Sequence, residues 1–261
     1  MRELWIQVSG VRLRYFEAGE GPPLLLLPSA GGRAAEYFEL IPLLEKTAHV
    51  FVLDYPGFGQ SETLLRLKSS KDFACFVGEW CRALGFERCD VAGFSLGGWL
   101  ALHMALSQPE AIGRLILIAT SAGKDANVPL ISPAGLSFKE ILDQFYVRPE
   151  VKARLAGQKL SPEEKKEIHR STRTLDRLLA KGSLFPQLQD CLHEITRPTL
   201  VLAAHEDRVM PLFYQQQLHE GIPKAQLTVL SECGHAMIAE RPHEVAKAMI
   251  TFLQTTSGAC A

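Results

Sequence analysis

Residues 90–98 read DVAGFSLGG and join a short apolar segment to an almost wholly apolar run that continues to residue 106. This pattern predicts a buried strand, a sharp turn at Ser95 and a buried helix beginning at Leu96. Gly93 and Gly97 lie two positions before and after Ser95, where Cβ atoms would collide in so tight a turn. The serine hydroxyl would then project above the sheet, beside the N–H groups of the helix N-terminus. Ser95 is therefore a candidate nucleophile.

The glycine–serine pattern is short, and a glycine-rich turn in which Ser95 merely caps a helix would look the same. A serine nucleophile also needs a base, and the base needs a group that holds its tautomer. Asp207 follows the apolar segment 199–203, and His235 follows the segment 226–230. Because the carboxyl ends of parallel strands share one edge of a sheet, all three side chains are predicted on the same rim.

Other assignments of the base and the acid remain open. Asp207 could be a helix N-cap, His205 is the nearest rival base, and Glu206 is the nearest rival acid. We prefer Asp207 and His235 because, together with Ser95, they complete the order serine, acid, histidine that is expected when a nucleophile turn comes first.

The remaining apolar segments predict an α/β fold. Segments 4–8 and 11–17 alternate and meet at Ser9-Gly10, which indicates an antiparallel hairpin. Short apolar runs follow at 24–27, 50–53, 90–93, 115–119, 199–203 and 226–230, separated by helical stretches. We therefore predict a mostly parallel eight-stranded sheet with helices on both faces.

The regular spacing of strands is interrupted between about residues 121 and 198. Here Phe138, Ile141, Leu142 and Phe145 recur at the spacing of one helical face. The run 161–164, SPEE, is a helix N-terminus signal, and Gly182 offers a stop. We predict a core domain formed by residues 1–121 and 196–261, with a helical cap inserted at 122–195.

Composition narrows the possible partners. The 261 residues are 47% hydrophobic with a formal net charge of -1, as in ordinary globular proteins, so a nucleic-acid partner is not expected. The six cysteines form no CxxC pair, so we expect no metal site, no disulfide framework and no cofactor. No apolar run has the length of a membrane span and no secretory signal precedes the first strand, so we expect a cytoplasmic protein without a membrane span. Its oligomeric state is not indicated.

Several motifs make the chain resemble the α/β-hydrolase superfamily. They are residues 54–61, DYPGFGQS, residues 207–211, DRVMP, and the spacing from Asp207 to His235. Residues 93–98, GFSLGG, and 234–242, GHAMIAERP, resemble small bacterial serine carboxylesterases with a helical cap. The resemblance implies an oxyanion hole formed by the backbone N–H groups of Leu96 and Ala30. Most relatives carry His-Gly at the start of the second loop, whereas this chain has Pro28-Ser29.

The expected reaction is hydrolysis of a small carboxylic ester through an acyl-enzyme. Cleavage of a carbon–carbon bond in a ring-opened dienoate is the main alternative, but relatives that perform it often have Trp after the histidine, where Ala236 stands here. A small-molecule receptor with the same fold is a further alternative. Six side chains are candidates for an apolar substrate pocket or for plain packing: Trp99, Phe138, Phe145, Tyr146, Phe185 and Met237.

Overall fold

A computed structural model describes residues 1–128, 131, 135–180 and 186–255. Within these residues the strands form one eight-stranded sheet in the order β1-β2-β4-β3-β5-β6-β7-β8. The strands are β1 (Arg2–Val8), β2 (Val11–Ala18), β3 (Pro23–Leu27), β4 (His49–Leu53), β5 (Cys89–Phe94), β6 (Ile112–Ile118), β7 (Thr199–Ala204) and β8 (Ala225–Leu230). Strand β2 runs antiparallel to β1 and β4, and the other neighbours are parallel. The predicted mostly parallel sheet is confirmed.

The hairpin at the start of the chain has the predicted turn. Strands β1 and β2 pair from Arg2 opposite Glu17 to Val8 opposite Val11. The two turn residues have positive φ angles, 51° at Ser9 and 80° at Gly10. Two left-handed residues make a turn whose twist matches that of the paired strands, which explains why a Ser-Gly pair suits it.

The sheet is buried on both faces because side chains alternate along each strand. Leu24 and Leu26 pack in one cluster, and Leu25 and Leu27 in the other. The first cluster includes residues of α1 (Ile41–Leu44), α8 (Met237–Glu240) and α9 (Pro242–Thr255). The second includes residues of α2 (Ser70–Ala83), α3 (Leu96–Ser107) and α7 (Leu212–Gly221). Helices therefore cover both faces, as predicted.

Among the described residues between β6 and β7 there are three further α-helices: α4 (Phe138–Phe145), α5 (Pro149–Gly157) and α6 (Pro162–Leu179). Helices α4 and α6 begin with capping boxes, formed by Ser137 with Glu140 and by Ser161 with Glu164. The predicted stop at Gly182 lies outside the described residues. The insertion is helical as expected, and the division into a core domain and a cap at residues 122–195 stays a prediction.

Strand β6 differs from the sequence pattern at both ends. Strand β6 begins at Ile112 rather than at residue 115, since Gly113 and Arg114 interrupt its apolar run. Arg114 is accommodated there by an ion pair with Asp90 of β5, with 2.5 Å between nitrogen and oxygen. Ala119 leaves the strand with a φ angle of 44°. Among the helices of the described ranges, none combines the length and the apolar character needed to cross a membrane.

Candidate active site

Ser95 lies in a strained turn between β5 and α3. Its φ and ψ angles are 52° and -115°, a conformation that is costly for a residue with a side chain. The Ser95 N–H donates to the carbonyl of Ile118 at 2.9 Å, and the Thr120 hydroxyl donates to the Ser95 carbonyl at 2.7 Å. A Cβ atom on Gly97 would lie 2.0 Å from the carbonyl oxygen of Leu27. The neighbouring strands thus hold the turn in place, and only glycine fits at position 97.

The three predicted side chains form a hydrogen-bonded chain. His235 Nδ1 lies 2.8 Å from Asp207 Oδ2, and His235 Nε2 lies 3.0 Å from Ser95 Oγ. Because an ionised carboxylate can only accept, Nδ1 carries the hydrogen and Nε2 is free to accept from the serine hydroxyl. Asp207 and His235 are buried, with 5% and 1% of their surfaces exposed. This is the arrangement in which a histidine removes a proton from a serine.

A second set of contacts fixes the orienting acid. The Oδ1 atom of Asp207 accepts hydrogen bonds from the backbone N–H groups of Val209 and Met210, at 2.9 and 2.8 Å. These donors stabilise the ionised carboxylate and leave Oδ2 pointing at His235. The loop after β7 therefore positions the acid through its own backbone.

The two rival residues have other roles. The Glu206 carboxylate accepts from the backbone N–H of Cys233 at 3.2 Å, two residues before His235. His205 Nδ1 lies 3.5 Å from Glu206, and 65% of the His205 side chain is exposed. Glu206 thus supports the His235 loop and His205 lies at the surface beside it, so the geometry favours the preferred assignment.

The imidazole of His235 packs against two aromatic rings. The Phe94 ring centroid lies 5.3 Å from it, and the Phe145 ring meets it edge to face at 5.2 Å. Phe94 precedes Ser95, whereas Phe145 is the last residue of α4. The base thus lies in an apolar environment to which the inserted helices contribute directly.

The predicted oxyanion loop follows β3 and is shaped by Ser29. Its N–H donates to a carboxylate oxygen of Glu36 at 2.8 Å, and its hydroxyl accepts from the Gly31 N–H at 3.2 Å. The Tyr37 and Tyr55 hydroxyls donate to the carbonyls of Leu27 and Pro28, each at 3.0 Å. In this unusual loop, side chains therefore fix the backbone on both sides of position 30.

The two predicted oxyanion donors are the N–H groups of Ala30 and Leu96. Within the described part of the chain, neither has a hydrogen-bond acceptor. Leu96 is the first residue of α3, so the positive end of the helix dipole adds to its N–H. Both N–H groups are therefore suited to donate to the oxyanion that forms when Ser95 attacks a carbonyl.

Glu36 is a site residue that the sequence analysis missed. Burial raises the pKa of its carboxyl, and the hydrogen bonds from Ser29 oppose that rise. Glu36 lies in a short 3-10 helix, Ala34–Tyr37, that begins just after the glycine-rich loop. Its contact with Ser29 requires the chain to fold back on itself, which no periodic pattern signals.

The predicted pocket residues separate into several groups. Phe145 contacts His235, and the adjacent Tyr146 is largely desolvated, so that burial raises its pKa to about 12. Trp99 and Met237 belong to the cores on opposite faces of the sheet, with 1% and 0% exposed. Phe138 is 59% exposed, and its role in a substrate pocket stays a prediction. Phe185 lies outside the described residues.

The strand-turn-helix motif and the buried histidine define an α/β-fold serine hydrolase. Residues 24–248 match the model of the alpha/beta hydrolase family, and the chain belongs to this family.

Curated relatives are similar over most of the chain. A 2-hydroxy-6-oxo-6-phenylhexa-2,4-dienoate hydrolase of Comamonas testosteroni is 30% identical, over 95% of this chain and 93% of that protein. A poly(3-hydroxyalkanoate) depolymerase of Ectopseudomonas oleovorans is 29% identical, over 89% and 84%. Other matching relatives are named as hydrolases of related dienoates.

A solved structure supports the fold. The meta-cleavage product hydrolase of Pseudomonas fluorescens superposes with a TM-score of 0.80 at 24% identity, covering 97% of this chain and 98% of that one. At this level of identity the similarity establishes the architecture alone.

Proposed function

We propose that this serine hydrolase cleaves the carbon–carbon bond beside the ketone of a ring-opened 2-hydroxy-6-oxo-dienoate. The observation that carries the proposal is the near full-length similarity to a hydrolase named for such a substrate. The sequence alone favours an ester, because Ala236 stands where dienoate hydrolases often have a Trp. The relatives reverse that order, and the dienoate becomes the leading candidate.

The site geometry is compatible with this reaction. When the enol proton of the substrate moves to C5, C2 becomes a ketone conjugated with a C3–C4 double bond, and C5 becomes a saturated carbon bonded to the C6 ketone. Ser95 Oγ attacks C6 while its proton passes to His235 Nε2, and the N–H groups of Ala30 and Leu96 stabilise the oxyanion. The C5–C6 bond then breaks, and C5 leaves as a dienolate conjugated with the 2-oxo acid, which takes the proton from His235. Water activated by His235 hydrolyses the acyl-Ser95 ester, so one water yields a carboxylic acid and a shorter 2-hydroxydienoate.

A dienoate also carries a carboxylate, for which the chain offers a candidate cation. Arg177 of α6 has a buried terminal nitrogen that lacks a hydrogen-bond partner within the described residues. The next residue, Leu178, packs in the same apolar cluster as Leu96 and Leu100 of α3, so this turn of α6 lies near the helix that follows Ser95. A guanidinium binds a carboxylate through two parallel hydrogen bonds, so Arg177 is the residue to test for recognition of an acidic substrate.

A carboxylic ester is the second candidate. The small Ala236 after the histidine favours it, and so does the similarity to a poly(3-hydroxyalkanoate) depolymerase, which is named for a polyester. The triad would perform the same two steps, with an alcohol as the leaving group.

The test compares kcat/KM for 2-hydroxy-6-oxo-6-phenylhexa-2,4-dienoate with that for p-nitrophenyl butyrate. We expect the dienoate value to exceed the ester value by about 100-fold, a difference of ~2.7 kcal/mol. Ser95→Ala should abolish both activities, and Arg177→Met should raise KM about tenfold for the dienoate only.

Turnover of the ester without the dienoate would replace this proposal by the second candidate. Failure of a fluorophosphonate probe to label Ser95 in folded protein would contradict both and favour a receptor.

A further inference from the structure

Glu240 is a buried carboxylate that contacts two distant segments of the chain. It is the last residue of α8, five positions after His235, and 2% of its surface is exposed. Its Oε2 atom accepts from the Gly234 N–H at 2.6 Å, directly before the candidate base. Its Oε1 atom accepts from the N–H groups of Val147 and Arg148, each at 2.7 Å. One side chain therefore joins the His235 loop to the segment that follows α4.

The same two segments meet again on the other side of His235. The Ala236 N–H donates to the Phe145 carbonyl at 3.0 Å, and a Cβ atom on Gly234 would lie 2.8 Å from that carbonyl oxygen. The residue before the base is thus held by Glu240 and the residue after it by Phe145, whose ring also contacts the imidazole. The His235 loop and residues 145–148 form one hydrogen-bonded unit.

Electrostatics make this contact strong. A carboxylate that accepts three backbone N–H groups forms charge-assisted hydrogen bonds, which are about twice as strong as neutral ones. Arg148 adds a cation nearby, since its guanidinium donates to the backbone carbonyl of Glu240 at 2.9 Å. Removing the carboxylate would leave three backbone donors in this region without their acceptor, which disfavours the observed loop conformation.

We propose that Glu240 is a positioning residue that couples residues 145–148 to the candidate base. It keeps His235 Nε2 within reach of Ser95 Oγ and holds the Phe145 ring against the imidazole. Glu240 acts through the loop and touches neither Ser95 nor the oxyanion donors in the described structure. The role rests on the proposed serine-hydrolase function but holds for either substrate class.

The closing experiment uses Glu240→Gln with Glu244→Gln as a matched control. The glutamine at 240 keeps the shape of the side chain but turns an amide NH2 group toward N–H donors. Glu244 is a partly exposed carboxylate on α9 that pairs with Arg241 at 3.0 Å. We expect Glu240→Gln to lower kcat about 10- to 100-fold, as a displaced catalytic group does, with KM changed less than about threefold. The control should stay within about twofold of the wild type.

The second readout is the rate at which a fluorophosphonate labels Ser95. We expect this rate to fall in parallel with kcat, whereas a residue that only stabilises the fold would reduce the labelled fraction and leave the rate unchanged. If folded Glu240→Gln keeps the wild-type kcat and labelling rate, the role is overturned. An unlabelled wild type would instead overturn the hydrolase function itself.

A variant that keeps the carboxylate covers the case in which Glu240→Gln does not fold. Arg148→Met removes the guanidinium that donates to the Glu240 carbonyl and also pairs with the exposed Glu150. Its control is Arg154→Met, which removes a half-exposed arginine that pairs with Glu39 on the surface. We expect kcat to fall about 3- to 10-fold for Arg148→Met, a modest misplacement of the base, and to stay unchanged for the control. An unchanged kcat in Arg148→Met would then overturn the proposal.

Discussion

At the level of single residues, the site combines a strained backbone at Ser95 with a histidine whose two ring nitrogens both have hydrogen-bond partners. Ser95 has a φ angle of 52°, which costs roughly 1–3 kcal/mol and persists because the surrounding structure determines it. Asp207 has both oxygens occupied, one by His235 and one by backbone donors. The hydroxyl, imidazole and carboxylate are therefore aligned before a substrate arrives, which limits the reorganisation needed for attack.

The tautomer of His235 should determine how fast Ser95 attacks, because only the form with the hydrogen on Nδ1 leaves Nε2 able to accept the Ser95 proton. Asp207→Asn should lower kcat by about 10³- to 10⁴-fold, because the asparagine amide favours the wrong tautomer. Asp143→Asn, at a carboxylate with 54% side-chain exposure, is the control. A kcat for Asp207→Asn within about tenfold of the wild type would contradict the orienting role of Asp207.

At the level of elements, the position of α3 depends on close backbone contact at two glycines. A Cβ atom on Gly93 would lie 2.2 Å from the carbonyl oxygen of Gly97, and one on Gly97 would lie 2.0 Å from that of Leu27. These contacts bring the first turn of the helix against β3 and β5. The N–H of Leu96 is consequently placed beside the loop that carries Ala30.

Substitution of Gly97 should show whether close packing, rather than helix propensity, requires a glycine at this position. We expect Gly97→Ala to lower the free energy of unfolding by about 1–3 kcal/mol, since the strand must shift to admit a methyl group. Gly157→Ala is the matched control, because nothing lies within 4 Å of a Cβ atom there. Alanine at 157 should change stability by less than about 1 kcal/mol. Urea denaturation measures both, and equal stabilities would refute the contact argument.

At the level of the whole molecule, α6 is tied to the sheet by a buried polar network. Glu167 of α6 lies 3.0 Å from the guanidinium of Arg14 and accepts from Gln60 at 2.6 Å. Arg14 also pairs at 2.7 Å with Asp54, whose side chain is fully buried. Asp54 in turn accepts from the Ala34 N–H at 2.8 Å, shortly after the oxyanion loop. The same network of charged groups therefore contacts both helix α6 and the segment that follows the oxyanion loop.

Loss of Arg14 should destabilise the protein in a pH-dependent way. Arg14→Met should lower the free energy of unfolding by about 3–5 kcal/mol at neutral pH, because Asp54 is left charged and buried. Burial already raises the pKa of Asp54, and Arg14 opposes that rise. Without Arg14 the pKa rises further, so the folded state binds protons more readily and the deficit should shrink as the pH falls toward about 5.

The control for this prediction is Arg2→Met, at an arginine whose side chain is 72% exposed and pairs with Glu17. Its cost should be below about 1 kcal/mol. Urea titrations at several pH values measure both variants. Equal losses, or a deficit for Arg14→Met that grows on acidification, would contradict the prediction.

Local patterns in the sequence are enough to predict several features of the fold. The hairpin turn at Ser9-Gly10, the strands apolar on both faces and the turn at Ser95 each follow from residues adjacent in the chain. The positions of Ser95, Asp207 and His235 after three strands also predict that their side chains lie at one edge of the sheet, because parallel strands end at a common edge. The start of β6 was missed, since Gly113 and Arg114 break the apolar run there.

The contacts that support the site depend on the tertiary structure. The Phe138 side chain shares a helical face with Phe145, yet Phe138 is largely exposed while Phe145 contacts His235. Glu240 accepts from Val147, 93 residues away in the chain. A buried carboxylate is stabilised by the N–H groups that the fold brings close to it. Because these groups come from segments that are distant in the chain, their pairing produces no periodic pattern in the sequence.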